Sequence, residues 1–337
     1  MNVINQMKIG LTYDLRDDYP PYVNAPPDYY AEFDTEENIN HLAAAIESLG
    51  HQVCRIGNVY KLVGFIAEGG SVDIVFNMAE GLWGRARESQ VPAILEAYRI
   101  PYTGSDPLTL ALCLDKALTK QLWQSAGLPT PDFCVVADIA ELDQARDNLP
   151  SFPLFVKPVH EGASKGIGVE SIVESDRELR ARVGWVLTRY QQPALIEEFL
   201  PGREFTVGLL GNGRQARVLG IGEFVLTSVD KVYGFVQKEG WEARVPDKLI
   251  PVESISLKNK LSELALQAYQ AIGCRDLGRL EIRLDKNGNP QLLEINPIVG
   301  LHPTHASLPI IATQAGLSYE ELIAEILDHA ISRWSPG

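Results

Sequence analysis

Arg279-Leu280-Glu281-Ile282-Arg283-Leu284, then Asp285-Lys286-Asn287-Gly288-Asn289, then Pro290-Gln291-Leu292-Leu293-Glu294-Ile295-Asn296 is the stretch that decides how this chain is read. Side chains alternate across a strand, so Arg279 and Glu281 share one face while Leu280, Ile282 and Leu284 share the other. The second half repeats the pattern, with Glu294 and Asn296 on one face and Leu293 and Ile295 opposite. Asn287-Gly288 predicts a two-residue hairpin turn, and that turn fixes the register. Glu281 then opposes Glu294, and Arg279 opposes Asn296. Like charges directly opposite one another are destabilising. Two carboxylates and an amide oxygen converging in this way are explained by a hard divalent cation, and Mg²⁺ held by one or two carboxylates and by substrate phosphates is the usual arrangement.

The rest of the chain gives that hairpin a setting. At 337 residues, two or three domains are expected. A hydrophobic content of 45% with 22% charged residues belongs to a water-soluble globular class. The net charge of −14 disfavours a nucleic-acid surface. No apolar run is long enough for a membrane span, and no charged-then-apolar leader opens the chain, so a cytoplasmic location is expected. Cys54, Cys113, Cys134 and Cys274 are scattered without metal-ligand spacing and read as small hydrophobes.

Strand-like and helix-like segments alternate through the first hundred residues: strands at 7–11, 53–56 and 72–76, a helix opening at Thr35-Glu36-Glu37-Asn38, and another at 91–98. That alternation predicts a parallel α/β unit. Further on come a helix at 116–126, strands at 133–136, 154–156 and 194–197, and a helix near 138–147. Pro201-Gly202 marks a boundary. Alternating segments at 204–210 and 217–225 follow, then a polar loop at 227–250 and helices at 256–272 and 318–333.

Two more stretches carry chemistry. Lys157-Pro158 ends an apolar strand and runs into His160-Glu161-Gly162-Ala163-Ser164-Lys165-Gly166-Ile167-Gly168. Glycines there let backbone N–H groups approach phosphate oxygens, with Lys157 adding positive charge, and taken alone the stretch reads equally as a plain surface hairpin. The Gly-Lys-Ser/Thr ending of a Walker A loop is absent. Ala194-Leu195-Ile196-Glu197-Glu198-Phe199-Leu200, followed by Gly202-Arg203-Glu204, reads alone either as a solvated acidic strand end or as a place where an adenine binds edge-on to the backbone, with Glu197 or Glu204 accepting from amino or ribose hydroxyl groups.

Taken in order, Lys116, Lys157 with its glycine loop, Ile196-Glu197-Glu198-Phe199-Leu200, Arg203-Glu204 and Glu294-Ile295-Asn296-Pro297 resemble the ATP-grasp superfamily, and within it the D-alanine–D-alanine ligases. The likeness runs from about Tyr102 to Glu325. It implies an α/β ATP-grasp fold: a parallel α/β N-terminal domain over 1–112, a central lid domain over 113–200 and a C-terminal domain with the metal site over 201–337, the last two α+β and sandwiching ATP. It further implies that Lys116 and Lys157 hold ATP phosphates under the loop of Gly162, Ser164 and Gly166. Glu197, Glu198, Phe199 and Leu200 would receive the adenine and Glu204 the ribose. Glu281, Glu294 and Asn296 would hold two Mg²⁺, with Glu281 standing where relatives usually have Asp. Arg279 and the Gly300 N–H would stabilise an oxyanion, and Lys238 would cover the γ-phosphate from a loop at 227–250 that closes as a lid. A homodimer built on the first domain is implied by the same likeness.

The substrate half departs from that pattern. The Ser-x-Glu element whose glutamate holds the first substrate's amine is replaced by Leu11-Thr12-Tyr13-Asp14-Leu15-Arg16-Asp17-Asp18-Tyr19. Its partner serine falls on Ala163 and its partner tyrosine on Glu239. A His-Gly-x-x-Gly-Glu-Asp-Gly segment is replaced by Asn77 through Arg85, which includes Glu80. The acceptor-binding Ser-Leu falls on Ser307-Leu308 if one residue is inserted after Gly300. Glu80 and Ser307 are thus candidate substrate residues, and His302 and His305, beside the site, read either as residues that orient a carboxylate or as ordinary helix-cap residues. Tyr19, Tyr22, Tyr29 and Tyr30 read either as a packed surface loop or as part of that pocket.

Loss of a polar pocket network changes substrate choice strongly. The expected reaction is ADP-forming ligation of a small-molecule carboxylate to an amino-acid amine. Ligases that join an amino acid to mycosporine-glycine, making mycosporine-like amino acids, resemble the chain in general plan. D-alanine–D-alanine ligation in peptidoglycan synthesis is the alternative, and a non-catalytic ATP-binding regulatory protein is the alternative from another class.

Overall fold

In a computed structural model the chain is described over residues 6–22, 24–225 and 248–334. Strand β1 (Lys8–Thr12) lies between β2 (Gln52–Gly57) and β3 (Ile74–Asn77), all parallel, and Tyr102 adds a bridge to Val75. Ile9, Leu11, Ile74, Val75 and Phe76 are each at most 1% exposed, as expected of a parallel sheet covered on both faces. Helix α1 (Glu36–Ser48) opens on Thr35, whose hydroxyl accepts from the Asn38 N–H at 3.2 Å. Its buried Ile39, Leu42, Ala43 and Ile46 form one apolar stripe. Helices α2 (Val59–Ala67), α3 (Gln90–Ala97) and α4 (Pro107–Leu114) complete this region.

Next come α5 (Lys116–Ser125), β4 (Phe133–Val136), α6 (Ile139–Ala145), β5 (Leu154–Pro158), β6 (Ile172–Val173), α7 (Asp176–Tyr190) and β7 (Ala194–Glu198). Their sheet is antiparallel in the order β4-β7-β5-β6, over a core of Val136, Leu154, Val156, Val183, Val186 and Ile196.

The third sheet is antiparallel in the order β10-β9-β8-β11-β12, formed by β8 (Glu204–Leu210), β9 (Arg217–Val225), β10 (Lys248–Pro251), β11 (Leu277–Leu284) and β12 (Pro290–Asn296). Residues 248–251 are thus a strand paired with β9, not the tail of a loop. Helix α8 (Ile255–Ile272) covers one face, where Trp123 of α5 is also fully buried. Helix α9 (Ser307–Gln314) covers the other. Gly208 and Gly220 permit its close approach, since a Cβ at either would lie 2.7 Å from Leu308 or Ile311.

Helix α10 (Tyr319–Trp334) packs against α1, so the first and third sheets share one hydrophobic core. Buried Asp276 locks that junction: it accepts from the Gly104 N–H at 2.8 Å and from Arg333 at 2.8 Å, and Arg333 also reaches the Tyr102 carbonyl. No helix among the described residues is long and apolar enough to cross a membrane.

Candidate active site

The β11–β12 hairpin has the expected register where it matters, Arg279 opposite Asn296 and Glu281 opposite Glu294. Its turn differs from the expected one. The Asp285 N–H bonds the Asn289 carbonyl at 2.9 Å, the Gly288 N–H bonds the Asp285 carbonyl at 3.0 Å, and Gly288 has φ +82°. Three residues, not two, therefore form the loop, a type I turn closed by a left-handed glycine. A bulge then restores the register, because Ile282 pairs with Leu292 and Leu293 is the extra residue. Leu293 consequently leaves the core face and lines the cleft beside Glu294.

Two cavities flank this hairpin and both include Glu294. The first gathers most of the nucleotide candidates: Lys157, Ser164, Glu197, Glu198, Phe199, Leu200, Glu204 and Glu281. Within it Glu197 is 2% exposed, between Lys157 at 2.7 Å and Lys120 at 2.9 Å. Burial alone would raise the Glu197 pKa, but the two ammonium groups hold it below its ordinary value. Burial brings Lys120 down to about 8, while Glu197 and Glu294 overcome burial and raise Lys157. Glu197 thus anchors two lysines, a larger part than reading an adenine edge. Lys120 was not foreseen, although it lies one helical turn after Lys116.

At the strand end, the Glu198 N–H is used by the Asp132 carbonyl and the Phe199 N–H by the Pro153 carbonyl. That leaves the Leu200 N–H as the backbone donor for a ligand edge among these three. Glu204 pairs with Arg283 at 3.1 Å, and the Arg283 guanidinium lies 5.2 Å from the centre of the Phe199 ring.

The second cavity, of about 180 Å³, is lined by Arg279, Glu294, Asn296 and Gly300 and also by Glu32, Asp34, Glu80 and Glu88. Lys116 and Gly162 also line it. Lys116 opens α5, with Asp115 as its cap, and its ammonium meets Glu294 at 3.3 Å and the Glu161 carbonyl. Arg279 donates to Glu281 at 2.5 Å and to the Thr206 hydroxyl at 3.3 Å. The Asn296 amide nitrogen is buried without a hydrogen-bond partner among the described residues. The Glu281 and Glu294 carboxylates, opposed in the register, and the Asn296 side-chain oxygen are the hard-oxygen groups here that could hold Mg²⁺, and the two glutamates are ion-paired to Arg279 and Lys116.

The glycine loop is tied down by carboxylates. The Gly162 N–H donates to Glu32 at 2.6 Å and the Gly166 N–H to Asp28 at 2.7 Å, so two of the donors expected to face phosphate are bonded to carboxylates instead. Gly166 lines neither of the two cavities; Ala163 and Ser164 supply left-handed turns, with φ +46° and +59°. Glu32 also accepts from Arg87 at 2.9 Å and from Lys165 at 2.8 Å. Despite burial, Lys165 and Arg87 hold its pKa near 2. The substrate half therefore has a buried glutamate where the sequence predicted none. It comes from Tyr30-Ala31-Glu32-Phe33-Asp34, a loop without periodicity, which is why pattern reading passed over it.

The remaining candidates are more dispersed. Gly300 lines the second cavity, but His302, His305 and Ser307 do not. His302 and His305 stack at 4.3 Å, and His302 packs edge-on against His41 of α1. Burial and the neighbouring His305 and His41 lower the His302 pKa. Ser307 begins α9. The tyrosines form a packed loop: Tyr22 stacks on Tyr29 at 5.2 Å, Tyr29 meets Tyr30 edge-on, and Tyr19 is buried against Asp14. Lys238, Glu239 and most of the proposed lid lie outside the described residues.

Comparison with known proteins agrees with this layout. A family model described as D-ala D-ala ligase C-terminus matches residues 122–328. The D-alanine–D-alanine ligase of Bordetella avium is 35% identical over 78% of this chain and 80% of its own length. An uncharacterized protein, y4sG of Sinorhizobium fredii, is 39% identical over 77% of this chain and 75% of that protein. Among solved structures, the Bacillus anthracis D-alanine–D-alanine ligase complexed with ATP superposes with a TM-score of 0.73 at 21% identity, covering 97% of this chain and 98% of that one. The Coxiella burnetii ligase gives 0.71 at 20% identity, covering 98% and 96%. Fold and relatives together define an ATP-grasp carbon–nitrogen ligase. The chain belongs to the D-alanine–D-alanine ligase family.

Proposed function

We propose that the protein is an ADP-forming carboxylate–amine ligase working through an acylphosphate. The observation that carries this reading is the meeting of two cavities at Glu294: one with Lys157, Glu197 and Glu204, the other with Arg279, Asn296 and Gly300. A donor carboxylate oxygen attacks the γ-phosphorus of ATP, the bond to the β–γ bridging oxygen breaks, and ADP leaves. The amine nitrogen then attacks the acyl carbon and gives up a proton, the bond from that carbon to the phosphate-bearing oxygen breaks, and inorganic phosphate leaves with that oxygen. Phosphoryl transfer needs mainly positioning and charge neutralisation. Lys116 and Lys157 provide fixed positive charge, and Arg279 with the Gly300 N–H is assigned to the developing oxyanion. Glu281, Glu294 and Asn296 are assigned to Mg²⁺, which when bound neutralises charge on the phosphates.

Two donors are proposed by resemblance, mycosporine-glycine and D-alanine. The relatives that bear the D-alanine–D-alanine ligase name favour the second. Departure from that family's first-substrate element, with Glu32 closed off by Arg87 and Lys165, favours a different donor. A homodimer formed through the first domain and a cytoplasmic location belong to the same proposal, and light scattering on the purified chain checks the first of these. The deciding assay is phosphate release with Mg-ATP, both donors and a panel of amino acids, read by mass spectrometry. Thermal stabilisation by ATP without turnover on any pair would instead support a regulatory nucleotide-binding protein.

A further inference from the structure

Glu80 and Glu88 stand out because the mechanism above does not use them. Glu80 follows β3, in a segment pinned when the Gly81 N–H donates to Asp14 at 2.7 Å. Glu88 lies in the 3-10 turn Arg87–Ser89 that leads into α3. Glu88 is 7% exposed, and both side chains line the second cavity. Among the described residues neither carboxylate has a side-chain hydrogen bond or ion pair. The charges around them are already matched, since Arg87 and Lys165 are held by Glu32 and Glu161, and Lys116 by Glu294. Glu80 is half-buried and Glu88 buried, and a carboxylate that faces a cavity with no protein cation paired to it is open to a ligand's cation.

We infer that Glu80 and Glu88 form a cation-recognition subsite for the carboxyl donor, so that the donor carries a protonated amine or guanidinium at the end remote from its reacting carboxylate. This rests on the ligase reading for the word donor and departs from both donors named by resemblance, while the subsite itself rests on the two acids that have no ion-pair partner. Arg279 and Gly300 line the same cavity, so a carboxylate and a cation on one molecule would each find a complementary group within it. Glu32 is not the receiving group, because its oxygens are taken by Arg87, Lys165 and the Gly162 N–H.

Protonation supports this assignment. Burial, with Glu88, Glu32 and Asp34 nearby and Arg87 opposing, lifts Glu80 well above the ordinary carboxylate range. Burial lifts Glu88 to about 7, against the opposing pull of Arg87, Lys116 and Lys165 and with Glu32 adding to it. Without ligand these acids hold protons near neutrality, and a bound cation would release them.

The test uses the full chain with Mg-ATP, hydroxylamine as a general amine, and matched donors in both stereochemical forms: lysine against norleucine, arginine against citrulline. Hydroxamate formation should favour the charged member of each pair at least tenfold. Glu88→Gln should raise KM for the charged donor at least tenfold with kcat little changed, and Glu80→Gln should act in the same direction. Binding to the ADP-loaded protein, followed calorimetrically in two buffers of different ionisation enthalpy, should show proton release that shrinks in Glu88→Gln. Equal use of charged and neutral donors, or unchanged KM in both variants, overturns the subsite. Binding of charged donors with proton release but no phosphate or hydroxamate supports the subsite and overturns the ligase reading instead. No binding of either charged donor overturns the subsite.

Discussion

The two cavities that meet at Glu294 are built from the same kinds of residue and treat charge in opposite ways. On the nucleotide side, Glu197 sits between Lys120 and Lys157, and Glu204 is held by Arg283. On the donor side, Glu32 and Glu161 are matched, whereas Glu80 and Glu88 are not. A site with its charges already paired is fixed in geometry before its ligand arrives, which suits phosphoryl transfer. A site with unpaired acids leaves the ligand to complete it, which suits selection among substrates.

Breaking the shared residue should have the largest consequence. Glu294→Ala removes a metal candidate and the partner of Lys116, and turnover should fall by about 10³-fold or more, the scale seen when a transition-state charge contact is lost. Turnover within a few-fold of the parent would remove Glu294 from the site.

Next comes the paired side. Glu197→Ala leaves two buried lysines facing each other, and breaking such an arrangement costs about 3–5 kcal/mol. Urea unfolding should show that loss together with weaker ATP binding, whereas a neutral result would make Glu197 a bystander. On the unpaired side, Arg87→Ala strips one of two cations from Glu32 and Glu161 and should cost about 2–4 kcal/mol, less than at Glu197 because Lys165 remains. A larger loss than that of Glu197→Ala would reverse the contrast between the two cavities.

The smallest effect is on pH dependence. Burial raises Glu88 from 4.5 to about 7 and Asp34 from 3.8 to about 7. Between their ordinary and folded values the folded chain binds more protons than the unfolded one, so stability falls as pH rises through that window and levels off above it. The ligand-free melting temperature should therefore drop by a few degrees from pH 5 to pH 8, and Glu88→Gln should flatten the slope. A melting temperature that climbs over that range would contradict the pKa directions.

The same contrast explains what could be read from the sequence. Strand alternation and ordered motifs picked out most of the residues that line the first cavity, because Lys157, Glu197, Glu204 and Glu281 lie on strands, whose period is regular. Even there the hairpin register came out right through two compensating features, a three-residue turn and a bulge at Leu293, and neither is visible in the alternation. Helix α7 was missed although Ser175-Asp176-Arg177-Glu178 carries a capping signature, and α4 although Asp106-Pro107 is a strong helix start. The donor side depends on Glu32, Arg87 and Glu88, which loops bring together across long sequence separations. No local pattern encodes that meeting. His302 and His305 were chosen for their nearness to the site and Ser307 from the likeness to the family's Ser-Leu, and none of the three lines the cavity.

The most direct test of the central claim is the fate of the donor's carboxylate oxygen. With a donor labelled with ¹⁸O in its carboxylate, Mg-ATP and an amine, the acylphosphate route predicts inorganic phosphate carrying one labelled oxygen per turnover. Unlabelled phosphate, formed while product accumulates, would contradict it.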